Sequence, residues 1–99
     1  MGEDAPMKSV LQHYKECFVC KTTYDLHLHH VFFGNANRKK STEYGMTVWL
    51  CSRHHNMSNE GVHFNKVLDN KIKGFAQEYF ENNIGSREDF RNIFGKSYL

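Results

Sequence analysis

The sequence predicts a small α+β domain, with a metal knuckle and two short antiparallel strands in its first half, then a long helix and a short final helix. Three observations carry that prediction. Cys17-Phe-Val-Cys20 and Cys51-Ser-Arg-His54 repeat one ligand spacing on either side of some thirty residues. Leu26–Phe33 and Thr47–Leu50 are short runs rich in strand formers. From His63 to Phe80 the apolar residues Phe64, Val67, Leu68, Ile72, Phe75, Ala76, Tyr79 and Phe80 recur at steps of three and four, the period of a helix with one buried face.

The 99 residues, 39% hydrophobic with a single Pro, form one domain, because so short a chain cannot divide its apolar side chains between two cores. Residues 1–15 read as an N-terminal arm and 16–99 as the domain. In the arm, Met7, Val10, Leu11 and Tyr14 are spaced to form one face of a short helix, or the segment lies loose. Leu26–Phe33 is bounded by Asp25 and Gly34. The stretch Gly34–Gly45 between the strand runs is polar, basic and flanked by glycine, which predicts a surface loop. The long helix stops near Asn83 and Gly85. Ser86-Arg-Glu-Asp89 then resembles a capping box with Asp in the Glu position, opening a last short helix striped by Phe90, Ile93 and Phe94.

A net charge of +2 is too mild to identify a nucleic-acid partner. No apolar stretch approaches the ~18 residues of a membrane span. Met1 is followed by Gly-Glu-Asp rather than a basic and then apolar segment, so no secretory signal is expected, and a reducing cytoplasm is the expected compartment. Histidine is the compositional outlier. There are seven, three of them within 27–30 and two adjacent at His54 and His55.

Cys17, Cys20, Cys51 and His54 make a Cys3His set suited to a structural Zn²⁺, because ligands two residues apart can turn a knuckle and grasp one ion from adjacent directions. A redox use of Cys17 and Cys20 would need a βαβ context, which the two-strand pattern does not provide. His29 and His30 end the first strand. Alternation aims their rings to opposite sides, so that one meets a metal and the other a substrate water. With His54 on zinc, His55 is free for a second ion, and His63 is a further candidate ligand; Asn65 could substitute if the chain turns differently. His13 and His27 read as structural or incidental. A neutral imidazole suits deprotonation of water at physiological pH, and a divalent ion can stabilise phosphate charge, which together are the needs of phosphodiester hydrolysis.

In order, Cys17 to Cys20, His29-His30 and Leu50-Cys51-Ser-Arg-His54-His55 resemble the motifs of the HNH (ββα-metal) nucleases. His30-Val-Phe-Phe-Gly34, Asn37-Arg38, Tyr44-Gly45, Val48-Trp49-Leu50-Cys51, Gly61-Val-His63-Phe-Asn65 and Ile93–Leu99 are similar to small phage-encoded members of the RecA-dependent nuclease, or recombination enhancement, group. The likeness runs from Glu16 to Leu99. It implies a ββα-metal domain in a bacterial host cell, acting as an endonuclease on DNA. His30 would be the general base, and His29 and His55, with His63 as a possible third, would hold a catalytic Mg²⁺, Mn²⁺ or second Zn²⁺. A recombination or other phage protein is the implied partner.

One position departs from the pattern. The family's central Asn usually lies five residues before the second motif's cysteine, where this chain has Met46; Asn35, Asn37 and Thr47 are the nearby substitutes. Arg38, Lys39 and Lys40 could neutralise phosphates beside the scissile bond, whereas Lys66, Lys71 and Lys73 read as the wet face of the long helix. The alternative expectation is a non-catalytic zinc module that binds nucleic acid or a protein. Nothing in the sequence demands a dimer.

Overall fold

The computed structural model describes residues 9–56 and 61–99. Its elements run β1 (Leu26–His30), α1 (Asn35–Glu43), β2 (Thr47–Cys51), α2 (Ser52–His55), α3 (Lys66–Asn83) and α4 (Arg87–Phe94). The architecture is the expected α+β one. β1 and β2 pair antiparallel, with Leu26 opposite Cys51, Leu28 opposite Trp49 and His30 opposite Thr47. Among the described residues no helix is long and apolar enough to cross a membrane.

The stretch expected as a loop between the strands is helical instead. Ala36, Arg38, Lys39, Lys40 and Glu43 are all good helix formers, and tertiary bonds fix the segment in place. The Ser41 hydroxyl receives the Phe32 N–H at 3.0 Å and donates to the Phe32 carbonyl at 2.6 Å. Asn37 Nδ2 and Lys40 Nζ donate to the Phe94 and Ile93 carbonyls, the otherwise open C-terminal end of α4. Gly45, at φ 70°, then turns the chain into β2 while its N–H closes on the Thr42 carbonyl.

Phe32, delivered straight from the end of β1, is the centre of the core. Its ring lies 5.2 Å from Phe90 and 4.5 Å from Phe94, and Phe80 packs on Phe90 at 5.3 Å. The capping box of α4 forms as the sequence predicts: Ser86 accepts from the Asp89 N–H while Asp89 accepts from that of Ser86. Arg87 beside it pairs with Glu81 of α3 at 2.8 Å, which links the two helices next to the aromatic cluster.

α3 begins three residues later than expected and buries only part of the expected stripe, Ile72, Ala76 and Phe80, with a polar face beside it. Its buried positions are Asp69, Ile72, Lys73, Ala76, Gln77 and Phe80, while Val67 is 67% and Phe75 44% exposed. The cause is the C-terminal segment, which folds back along the helix. The Tyr98 N–H donates to Gln77 Oε1 at 2.7 Å, and Gln77 Nε2 donates to Ser97 Oγ. Lys73, expected in solvent, is buried with its ammonium 2.9 Å from Asp69 and 4.2 Å from the centre of the Phe33 ring. Phe75 instead touches Phe18 of the cysteine knuckle.

The part of the N-terminal arm that can be described contains no helix; Met7 and the residues before it lie outside the described range. Ser9–Gln12 runs along the outer edge of β2. The Val10 N–H meets the Gly45 carbonyl, Ser9 Oγ the Thr47 carbonyl, and Gln12 Oε1 the Trp49 N–H at 2.8 Å. Leu11 is buried by this path, and Trp49 gains the partner that a free sheet edge would lack.

Replacing Ser41 by Ala leaves the buried Phe32 N–H without a partner. A loss of about 1–3 kcal/mol is expected in urea unfolding. An unchanged midpoint would show that this hydroxyl does not hold α1 to the end of β1.

Candidate metal centres

The knuckle is shaped by its backbone. The Cys17 N–H bonds the Thr22 carbonyl, the Lys21 N–H bonds the Cys17 carbonyl, and Lys21 takes a left-handed φ of 69° to make the turn. Phe18 N–H donates to the Trp49 carbonyl, which ties the knuckle to β2. Cys51 ends β2 and His54 lies one turn on in α2, so strand end and helix start present their ligands to the knuckle together.

The four ligand atoms lie within 4.8 Å of one another. Around a tetrahedral zinc, two thiolates stand about 3.8 Å apart and a thiolate and an imidazole about 3.6 Å. Cys20 and Cys51 sulfurs are 3.8 Å apart, and His54 Nδ1 lies 3.7 Å from Cys17 and 3.3 Å from Cys51. The Cys3His set fits a metal such as zinc. None of the three cysteines is in a disulfide. Burial pushes the Cys17 thiol up, but backbone N–H groups of Cys20, Cys51 and Val19 outweigh it and bring the thiol down to about 6, favouring the thiolate a metal needs.

The next residue along α2 belongs to a second cluster. Successive helical positions diverge by about 100°, so His54 meets the sulfurs while His55 turns toward β1. His29, His55 and His63 bring one nitrogen each within 4.8 Å of the others. His63 arrives because Gly61 lies against α2, where a Cβ would stand 2.8 Å from the His55 carbonyl; the Val62 and His63 N–H groups then bond the His54 and His55 carbonyls. His55 Nε2 and His63 Nε2 are 3.2 Å apart, close to the roughly 3.3 Å separating two imidazole ligands on one tetrahedral ion.

Two of these imidazoles, His29 and His55, are held neutral. Burial, then the neighbouring His55, His63, His30 and Lys73, lowers His29 to about 3. Burial with His63 and His27 lowers His55 to about 4. Among the described residues, His29 Nε2 is buried with no hydrogen-bond partner.

His30 and Arg38 line the same cavity of about 200 Å³ as the three histidines, together with Leu28 and Phe33. Burial and the Arg38 charge lower the His30 pKa, which keeps this ring neutral as well. Of the other basic residues expected at the site, Lys39 stands exposed and Lys40 spends its ammonium on the Ile93 carbonyl. Asn65 is not a ligand: its side chain caps α3 by accepting from the Leu68 N–H. Met46 and Thr47 are fully buried, and Asn37 is committed to α4.

Two contributors escaped the sequence reading. Phe33 walls the cavity, its ring 5.9 Å from His29 and 5.4 Å from His63, and the buried Lys73 places its ammonium over the same ring. His27, read as incidental, places Nδ1 2.9 Å from His55 Nδ1. The signal for His27 was available, since residues two apart on a strand share a face and His29 was already a candidate. Compared with protein-family models, with curated proteins and with solved structures, the chain finds no match.

Cys20→Ala is expected to lose the metal bound by the Cys3His set and to unfold the knuckle and the strand end it clamps, read by metal counting and circular dichroism. A folded, zinc-loaded variant would contradict the assignment. His29 titrates near 3 when folded against 6.5 when exposed, so the folded state binds fewer protons and its advantage, complete above pH 6.5, is lost as pH falls toward 3. The urea midpoint should therefore drop between about pH 7 and pH 5, and drop less in His29→Leu; equal slopes would refute burial of a neutral ring.

Proposed function

We propose that the chain is a metal-dependent endonuclease of the HNH (ββα-metal) kind that hydrolyses DNA phosphodiester bonds. The observation that carries the reading is the convergence, in one cavity, of a three-imidazole cluster, a fourth neutral histidine and an arginine. His29, His55 and His63 would hold the catalytic ion, and the bare, buried nitrogen of His29 supports that use. A bound Mg²⁺, Mn²⁺ or Zn²⁺ would supply positive charge to the phosphate and to the departing oxygen.

The protein's own part follows from the cavity wall. His30, neutral at physiological pH, takes a proton from the attacking water as its oxygen bonds phosphorus and the bond to the leaving sugar oxygen breaks. Arg38, beside His30 at the start of α1, offers a planar pair of donors to the phosphate. Lys39 extends the positive surface along the same helix and engages the backbone without reading bases. A role in phage recombination or DNA processing, with a protein partner, is the biological setting that the motif resemblance suggests.

Nicking of supercoiled plasmid by wild type and His30→Ala, each with EDTA, Mg²⁺, Mn²⁺ or Zn²⁺, tests the reading. Metal-dependent nicking that falls about 10²–10⁴-fold in the variant is expected, with the structural metal retained in both. An unchanged rate in His30→Ala removes His30 as the base. Absence of nicking by wild type under every ion would favour a zinc module that binds without cutting, the reading that Met46 in place of the family Asn supports.

A further inference from the structure

The geometry points to His27 as the positioning residue of the second metal centre: its Nδ1 accepts the Nδ1 proton of His55 and so holds the opposite nitrogen, Nε2, toward the ion. The inference rests on the reading of His29, His55 and His63 as a metal site.

With an ion on His55 Nε2, the atoms leave one consistent arrangement. The two Nδ1 atoms face each other at 2.9 Å, so one must carry a proton and the other a lone pair. His55 Nε2 lies in the cluster, 3.2 Å from His63 Nε2. For Nε2 to offer its lone pair to an ion, the proton of a neutral His55 must be on Nδ1, and His27 Nδ1 is then the acceptor. The proton of His27 itself is left on its Nε2. The rings meet edge to face, with centroids 5.0 Å apart and an interplanar angle of 87°.

His55 needs such a partner. It closes a helix of only four residues, and no side chain caps that helix at its start. The Cys3His cluster fixes the backbone of α2 through His54, but it leaves the torsions of His55 free. His27 comes from β1, opposite Leu50 and on the same strand face as His29. One strand thus supplies a ligand and, two residues earlier, the group that orients a ligand from another element. Outer hydrogen bonds of this kind fix the tautomer and orientation of metal-bound imidazoles.

The test uses full-length protein carrying one equivalent of zinc, titrated with Co²⁺ alone and followed by visible absorption. His27→Ala should bind this second ion about 10–100-fold more weakly than wild type. His27→Asn should recover most of the loss, because its Oδ1 can accept the same proton. Equal affinity in wild type and His27→Ala overturns the inference while leaving the metal site standing, and so does failure of His27→Asn to recover any affinity. If wild type binds no second ion, the reading of the site falls first and the inference with it. Should His27→Ala fail to fold, nitrogen NMR of metal-loaded wild type decides: a proton on His55 Nδ1 is expected, and a proton on Nε2 overturns the assignment.

Discussion

The convergence of three thiols and an imidazole at the end of β2 is the constraint on which the rest of the site depends. Cys51 belongs to the strand, His54 to the turn of helix that follows, and Cys17 and Cys20 to a knuckle from the other end of the sequence. A helix of four residues has no independent stability, since nucleating a turn costs more than its few hydrogen bonds return. Held by a metal such as zinc through His54, that turn becomes a fixed platform. Its next residue, His55, then projects toward β1, where His29 waits on a strand paired to the same β2.

The second cluster shows what such a platform makes possible. Several imidazoles in a small, partly dry space cannot all be protonated, because burial and mutual repulsion both disfavour the charged form. The lowered values of His29, His55 and His30 follow, and each ring is left with a lone pair to offer. Phe33 packs its ring against His29 and His63. Lys73, buried against Asp69 and over Phe33, adds a nearby positive charge that further disfavours protonation of His29. The cavity is thus arranged for electron-pair donation, with Arg38 as a cation in its lining.

Much of this was legible in the residues. The paired spacings of Cys17, Cys20, Cys51 and His54 named the first centre because ligands two apart suit one tetrahedral ion. With His54 read as a zinc ligand, His55 was expected to point elsewhere, and the two rings lie in different clusters. Ser86 and Asp89 capped α4 as local chemistry requires. Gly34–Gly45 was misread because its polarity suits either a loop or an exposed helix, and only Ser41, Asn37 and Lys40 reaching Phe32 and α4 decide between them. α3 buries Ile72, Ala76 and Phe80 as its periodicity requires, but apolar periodicity cannot register a polar side chain buried by a distant segment, as Gln77 is by Ser97 and Tyr98.

By itself the sequence determined the elements whose chemistry is local: the two strands, the capped final helix, the long helix, and the ligand set of the Cys3His centre. His29, His55 and His63 were candidate ligands in the sequence, but only the tertiary structure supplies the reason that they meet. His29, His55 and His63 lie far apart in the chain, and they converge only because β1 pairs with β2, α2 is clamped to the knuckle, and Gly61 lets the following segment lie against His55. It also decided that His27 serves His55, a contact between a strand and a helix that neither one's own periodicity contains. Local preference acts within a few residues, whereas a site built from four segments depends on how those segments pack.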